Sequence, residues 1–124
     1  MNTSDVLARP HLAENDAEAA VRHADDDTFA QIVLGSPMPV LVDFHADWCP
    51  PCRLMRPILG QIAAELAGRL RVVEVDVDAS PKTALAYGVL AMPTMVVIRD
   101  GAQLATMVGA RSRRRLLEDL APYL

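Results

Sequence analysis

The chain has 124 residues, enough for one domain with one core, and its 52% hydrophobic and 23% charged residues are ordinary for a globular protein. Twelve basic residues against sixteen acidic ones leave a formal charge of −4, which argues against a general nucleic-acid binder, since such proteins carry a basic face. Two cysteines are too few for a multi-disulfide scaffold.

The opening stretch, MNTSDVLARPHLAENDAEAA, is acidic and lacks the apolar region of a secretory signal. Residues 1–19 read as a flexible polar extension with few large apolar side chains, and residues 20–124 as the folded domain. Within the opening stretch and just past it, AENDAEAAVRHA, ending at Ala24, has the composition of a weak helix. DDDTFAQIVLG then sets Asp and Thr ahead of apolar Phe29, Ile32 and Val33 and stops at Gly35, the pattern of a short capped helix.

PVLVDFH, from Pro39 to His45, is a nearly continuous apolar run rich in Val, as in a central strand buried on both faces; Asp43 interrupts it. From Pro50 the period changes. Leu54, Ile58, Ile62 and Leu66 recur every four residues, with Leu59 and Ala63 alongside, predicting an amphipathic helix that stops at Gly68 and is kinked at Pro57. RVVEVDVD, from Arg71, is a second strand. SPKTALAYGV predicts a helix with Ser80 as N-cap and Pro81 in its first turn. Two apolar runs around Asp100-Gly101 predict a β-hairpin. SRRRLLEDLAPYL closes the chain with a helix that buries Leu116, Leu117 and Leu120. No internal repeat is visible. The order of elements predicts an α/β fold: a mixed central β-sheet flanked by α-helices, with parallel central strands and an antiparallel edge. No apolar run approaches the roughly 20 residues that span a bilayer. No membrane or nucleic-acid partner is therefore expected, and the expected compartment is the cytoplasm. In that reducing setting a Cys-x-x-Cys pair is catalytic or metal-binding more often than a static crosslink.

The two cysteines, Cys49 and Cys52, sit in HADWCPPCRLMRP, directly after a strand and at the start of a helix. The free N–H groups and partial positive charge of a helix start stabilise a thiolate. Cys52 lies three residues on from Cys49, one helical turn away on the same face. One thiolate can attack a disulfide, and the other can then resolve the mixed disulfide. Pro50 and Pro51 fit the first turn, where a missing N–H costs little, and they stiffen the link between the sulfurs. A structural zinc site needs four ligands, and the remaining candidates are His11, His23, His45 and scattered carboxylates, so no metal is expected. Inert core thiols fit poorly beside Trp48 and two prolines.

VDFHADWCPPCRLMRPIL resembles the active-site segment of the thioredoxin family, AMPTM resembles its second signature, and RDGAQLATMVGA resembles its terminal hairpin. The likeness covers residues 20–124 and implies the thioredoxin fold. It implies that Cys49 is the nucleophile and Cys52 the resolving thiol, joined as a redox-active disulfide when oxidised, with no further cofactor. It implies that Asp43 is the buried carboxylate that helps Cys52 lose and regain its proton, a role suited by a pKa raised on burial; the alternative is a structural aspartate satisfied by N–H donors. Trp48 would flank the site, Pro93 would be the cis-proline facing the disulfide, Met92 would offer backbone groups to an extended substrate peptide, and Gly109 would leave room for it.

Three residues depart from the family's pattern. Pro-Pro stands between the cysteines where Gly-Pro is commonest. His45 stands where bacterial members usually carry Trp. Glu74 stands where some carry Lys, and a carboxylate there would raise the Asp43 pKa further. The resemblance implies a monomeric protein-disulfide reductase that acts on disulfide-containing substrate proteins and is recharged by a thioredoxin reductase-like flavoprotein using NADPH. The alternatives are an oxidase or isomerase working at higher potential with the same cysteines, and a non-catalytic binding subunit. The basic cluster Arg111 to Arg115 reads as the coat of the last helix, or as a docking patch for an acidic partner.

Overall fold

The computed structural model describes residues 20–124. The polar extension and most of the weak helix expected over residues 13–24 lie outside them. The last three residues of that stretch are not helical: Arg22–Ala24 form strand β1. A helical composition is overridden here by the sheet. β1 adds itself in parallel to the edge of strand β3, Arg71–Asp76, with Arg22 opposite Val73, His23 opposite Glu74 and Ala24 opposite Val75.

Asp25 Oδ1 then accepts from the N–H groups of Asp27 (2.9 Å) and Thr28 (3.0 Å), and a short helical turn, Ala30–Leu34, follows with Phe29 and Val33 buried. The apolar run becomes strand β2, Val40–His45, every residue of which is buried. Helix α1, Pro50–Glu65, returns the chain to β3. Helix α2, Pro81–Ala86, leads to the antiparallel pair β4, Thr94–Arg99, and β5, Ala102–Val108. Helix α3, Arg113–Leu120, closes the fold. Among the described residues the five strands lie in the order β1-β3-β2-β4-β5; the first three are mutually parallel, as the helical crossovers require, and β4 and β5 run antiparallel to their neighbours. The hairpin turns at Asp100 and Gly101, both with positive φ (52° and 77°), the conformation that Asp-Gly favours.

Alternation along β2, β3 and β4 divides the core between two faces. Leu41, Val72, Met95 and Val97 pack beneath Met55, Leu59 and Ile62 of α1 and Leu116 and Leu120 of α3. Val42, Phe44, Val73, Val75 and Val96 pack against Phe29 and Val33, with Tyr87 at the margin. The buried stripe of α1 runs through Cys52, Met55, Leu59, Ile62 and Ala63, whereas Leu54 is 69% exposed and Ile58 half-buried. The strict four-residue period expected from Leu54 drifts around a helix of 3.6 residues per turn, and Met55 takes the inward place. Leu117 is likewise only half-buried. Ser80 precedes α2 but makes no capping bond. Asp26 caps that helix instead, accepting from the N–H groups of Lys82 (3.2 Å) and Thr83 (2.8 Å) and from the Thr83 hydroxyl (2.7 Å).

The arginine cluster is answered within the chain. Arg111 Nε lies 2.8 Å from Asp119 Oδ2, Arg114 and Arg115 pair with Glu118 and Asp119 one turn on, and Arg113 pairs with Glu65 across to α1. These pairs favour the reading of a helix coat over that of a docking patch. Among the described residues no helix is long and apolar enough to cross a membrane.

Candidate active site

The C-terminal end of β2 delivers the chain to the cysteines. Ala46 accepts from the Cys49 N–H at 3.1 Å, and the Arg53 guanidinium donates to the Asp47 carbonyl through Nε (3.2 Å) and Nη2 (2.9 Å), fixing the loop against the first turn of α1. Cys49 is the N-cap residue, with extended φ −95° and ψ 107°. Pro50 and Pro51 follow at the first two helical positions and bring no N–H. The first donor of the helix is therefore Cys52 N–H, and it points at Cys49 Sγ at 3.3 Å. Cys49 and Cys52 are joined as a disulfide, with Cα atoms 5.3 Å apart. The cysteines themselves are buried, beneath exposed Trp48, Pro50 and Pro51. Trp48 Nε1 donates to Asp78 Oδ2 at 2.9 Å, holding the ring across to the loop after β3.

The loop before β4 faces the same sulfur. The Met92–Pro93 peptide is cis, as the resemblance implies, and the Met92 carbonyl oxygen lies 3.6 Å from Cys49 Sγ. Pro93 accepts from the Gly109 N–H at 2.8 Å, so the end of β5 braces this loop. Gly109 has φ 94°, a conformation that strains any other residue, and a Cβ there would point into open space. Ala46, Val77 and half-buried Met92 pack with the two cysteines, and Trp48, directly before Cys49, is exposed.

Asp43 lies on the face of β2 that α1 covers, 2% exposed, and its Oδ1 has no hydrogen-bond partner among the described residues. The alternative of a carboxylate satisfied by N–H donors finds no support at that oxygen. Burial pushes the carboxyl up to about 7, the negative charge of Glu74 adds to the rise, and Arg56 of α1 opposes it. Asp43 and Glu74 are direct neighbours in the parallel ladder, which places Glu74 where the sequence expected its influence. His45, two residues along β2, is buried and has Nε2 3.8 Å from Glu74 Oε2; His23 of β1 reaches the same oxygen with Nδ1 at 3.5 Å.

The structure thus gathers Cys49, Cys52, Trp48, Pro50, Pro51, Met92, Pro93 and Gly109 around one sulfur pair, with Asp43 on the sheet face beneath α1. Sequence reasoning missed Arg56, Asp78 and His23. Arg56 follows Cys52 by one helical turn, and that spacing was a usable signal. Asp78 and His23 are brought in by loop path and strand register, which leave no local pattern. Among the described residues no group of three or more His, Cys, Asp or Glu side chains is arranged to hold a metal ion.

Comparison with known proteins agrees with this geometry. The thioredoxin family profile matches residues 20–122. The chain is 45% identical over 115 residues to a thioredoxin of Mycolicibacterium smegmatis, covering 91% of this chain and all of that protein. It is 39% identical over 106 residues to thioredoxin 1 of a Nostoc species, covering 86% and 99% of the two chains, and 40% identical over 100 residues to an M-type chloroplastic thioredoxin of Chlamydomonas reinhardtii, covering 81% and 71%. With the family match spanning nearly all the described residues and the Cys-x-x-Cys pair capping α1 beside a cis-proline loop, the chain belongs to the thioredoxin family of thiol–disulfide oxidoreductases, enzymes that reduce protein disulfides.

Proposed function

We propose that this chain reduces disulfides in substrate proteins by a two-step exchange in which Cys49 attacks and Cys52 resolves. The observation that carries the reading is the placement of Cys49 Sγ: it caps α1, receives the Cys52 N–H and faces the Met92 carbonyl. In the reduced chain the Cys49 thiolate attacks one sulfur of the substrate disulfide. The Cys49–substrate bond forms as the substrate S–S bond breaks, and the far sulfur leaves as a thiolate. Cys52 then gives its proton to Asp43 and attacks Cys49 Sγ. The Cys49–Cys52 bond forms, the mixed disulfide breaks, and the second substrate thiolate leaves. Two electrons pass to the substrate, and the chain ends in the disulfide form.

A carboxyl titrating at about 7 suits the Asp43 role, because its proton affinity lies close to neutral pH. The Met92 carbonyl beside Cys49 Sγ, with exposed Trp48 directly before Cys49, supports an extended polypeptide as the substrate. Electrons return from an NADPH-dependent flavoprotein reductase, the chain works as a monomer in the cytoplasm, and residues 20–124 carry the whole activity. Membership of the thioredoxin family supports the donor and the compartment, and the family match over residues 20–122 supports the domain as the active unit. The proline pair supports the reducing direction: with no N–H at positions 50 and 51, the Cys49 thiolate has fewer donors to stabilise it, and a less stabilised thiolate makes a more reducing couple. Reduction of insulin by dithiothreitol tests the function. The wild-type chain accelerates it and Cys49→Ser does not; a Cys49→Ser variant with full acceleration overturns the assignment.

A further inference from the structure

Glu74 is an expensive residue in its place. It is 6% exposed, on a strand between two others, and it stands beside a second buried carboxylate in the ladder. A buried charge is tolerated when it is paired. The groups that answer Glu74 are two imidazoles from two different strands, both directed at Oε2: His45 from β2 and His23 from β1. They differ in exposure. The His45 side chain is 10% exposed, the His23 side chain 74%. One imidazole lies inside with the carboxylates, and the other stands in solvent at the sheet edge.

We propose that Glu74, His45 and His23 are positioning residues of the exchange reaction: the two imidazoles control how much of the Glu74 charge reaches Asp43, and so set the pH at which Asp43 can take the Cys52 proton. The inference rests on the reading of Asp43 as the base for Cys52.

The charged surroundings leave these imidazoles as the variable term. From α1, Arg56 acts on Asp43 and holds its charge at every pH of interest. Arg53 is tied to the Asp47 carbonyl. From β4, the residue opposite Asp43 is Met95, which is uncharged. On β3, Asp76 Oδ1 is occupied by the N–H groups of Asp78 and Ala79. An imidazole is a cation when protonated and neutral when not. Cationic imidazoles on Oε2 cancel the field of Glu74, and Asp43 then gives up its proton more readily. Neutral imidazoles leave that field intact, and the proton is held on Asp43. The apparent affinity of Asp43 for its proton therefore rises with pH, and its titration is stretched over a wider range than a single isolated site. Asp43 is thereby kept partly able to accept a proton on both sides of neutrality.

The test follows the Asp43 carboxyl carbon by NMR across a pH titration of the full reduced chain, beside the pH profile of mixed-disulfide resolution by Cys52. Glu74→Gln lowers the Asp43 midpoint by about one pH unit and steepens the curve. Glu74→Asp keeps most of the wild-type midpoint. His23→Ala, an exposed substitution that leaves the core intact, raises the midpoint. The resolution profile moves with the carboxyl in each variant. An unchanged Asp43 midpoint in Glu74→Gln and His23→Ala overturns the coupling. A moved midpoint with an unmoved resolution profile overturns instead the role of Asp43 as the base, and with it the bearing of the three residues on exchange.

Discussion

The starts of α1 and α2 solve one problem in two ways. A helix begins with N–H groups that have no intrahelical partner. At α2, the Asp26 carboxylate crosses from another loop and accepts from the Thr83 hydroxyl and from the N–H groups of Thr83 and Lys82, and these bonds, the hydroxyl's first, hold its carboxyl below the usual carboxylate range. At α1, two prolines delete the first donors, and the next one, on Cys52, is given to the Cys49 sulfur. The first arrangement fixes a loop to a helix. The second leaves a single donor beside a reactive atom. The two aspartates differ in the same way: Asp26 is stabilised as an anion by donors, while Asp43 is denied them and holds its proton to about 7.

The largest expected effect comes from removing the Asp43 charge. Its folded value is raised from 3.8 to about 7, so the group supports the fold fully below 3.8. That support is lost as pH rises toward about 7, and above it the whole desolvation penalty is present. Asp43→Asn therefore stabilises the protein near pH 8, on the order of 3 kcal/mol, and the gain fades toward pH 4. Turnover near neutral pH falls in the same variant. Denaturant unfolding at the two pH values, with insulin reduction alongside, checks both; an Asn variant that is less stable at pH 8 and equally active makes Asp43 structural.

Asp26→Ala probes the opposite design. It strips the α2 cap and lowers the melting temperature, while Asp27→Ala, which removes no cap, does not. Insulin reduction by Asp26→Ala at 25 °C stays near wild type. If Asp26→Ala melts like the wild type, the cross-loop cap contributes nothing. Pro50→Gly restores one donor at the start of α1 and makes the couple slightly more oxidising, read from equilibrium with glutathione by Trp48 fluorescence. A shift in the reducing direction contradicts the donor count. Deleting residues 1–18 has the smallest effect, because Val21, the first residue of the buried core among those described, is retained: melting temperature and activity stay nearly unchanged. A large drop in melting moves the domain boundary toward the N-terminus.

The features legible in the sequence are those written in short-range patterns. The apolar run of β2, the change of period at Pro50, the Asp-Gly turn and the cysteine spacing each need fewer than about twenty residues to be read, and each appears where expected. The features that escaped depend on partners distant in sequence. β1 is three residues long, too short for alternation to show, and exists because β3 offers an open edge. The α2 cap comes from Asp26 and not from adjacent Ser80, since only the folded path brings Asp26 there. Met55 rather than Leu54 faces the core because the orientation of α1 on the sheet selects between two adjacent apolar residues. At the site, the influence of Glu74 on Asp43 was expected from the family resemblance, which sets Glu74 where some members carry a Lys near the buried aspartate. Its pairing with His23 required the register of β1.

The central claim is that Cys49 attacks and Cys52 releases. Cys52→Ser leaves the Cys49 sulfur at its helix cap and removes the sulfur that resolves the intermediate. Incubated in reduced form with a disulfide-bonded protein such as insulin, this variant forms a covalent adduct through Cys49 that mass spectrometry detects and that persists until a thiol reductant is added. Absence of any adduct together with wild-type turnover in Cys52→Ser would contradict the account.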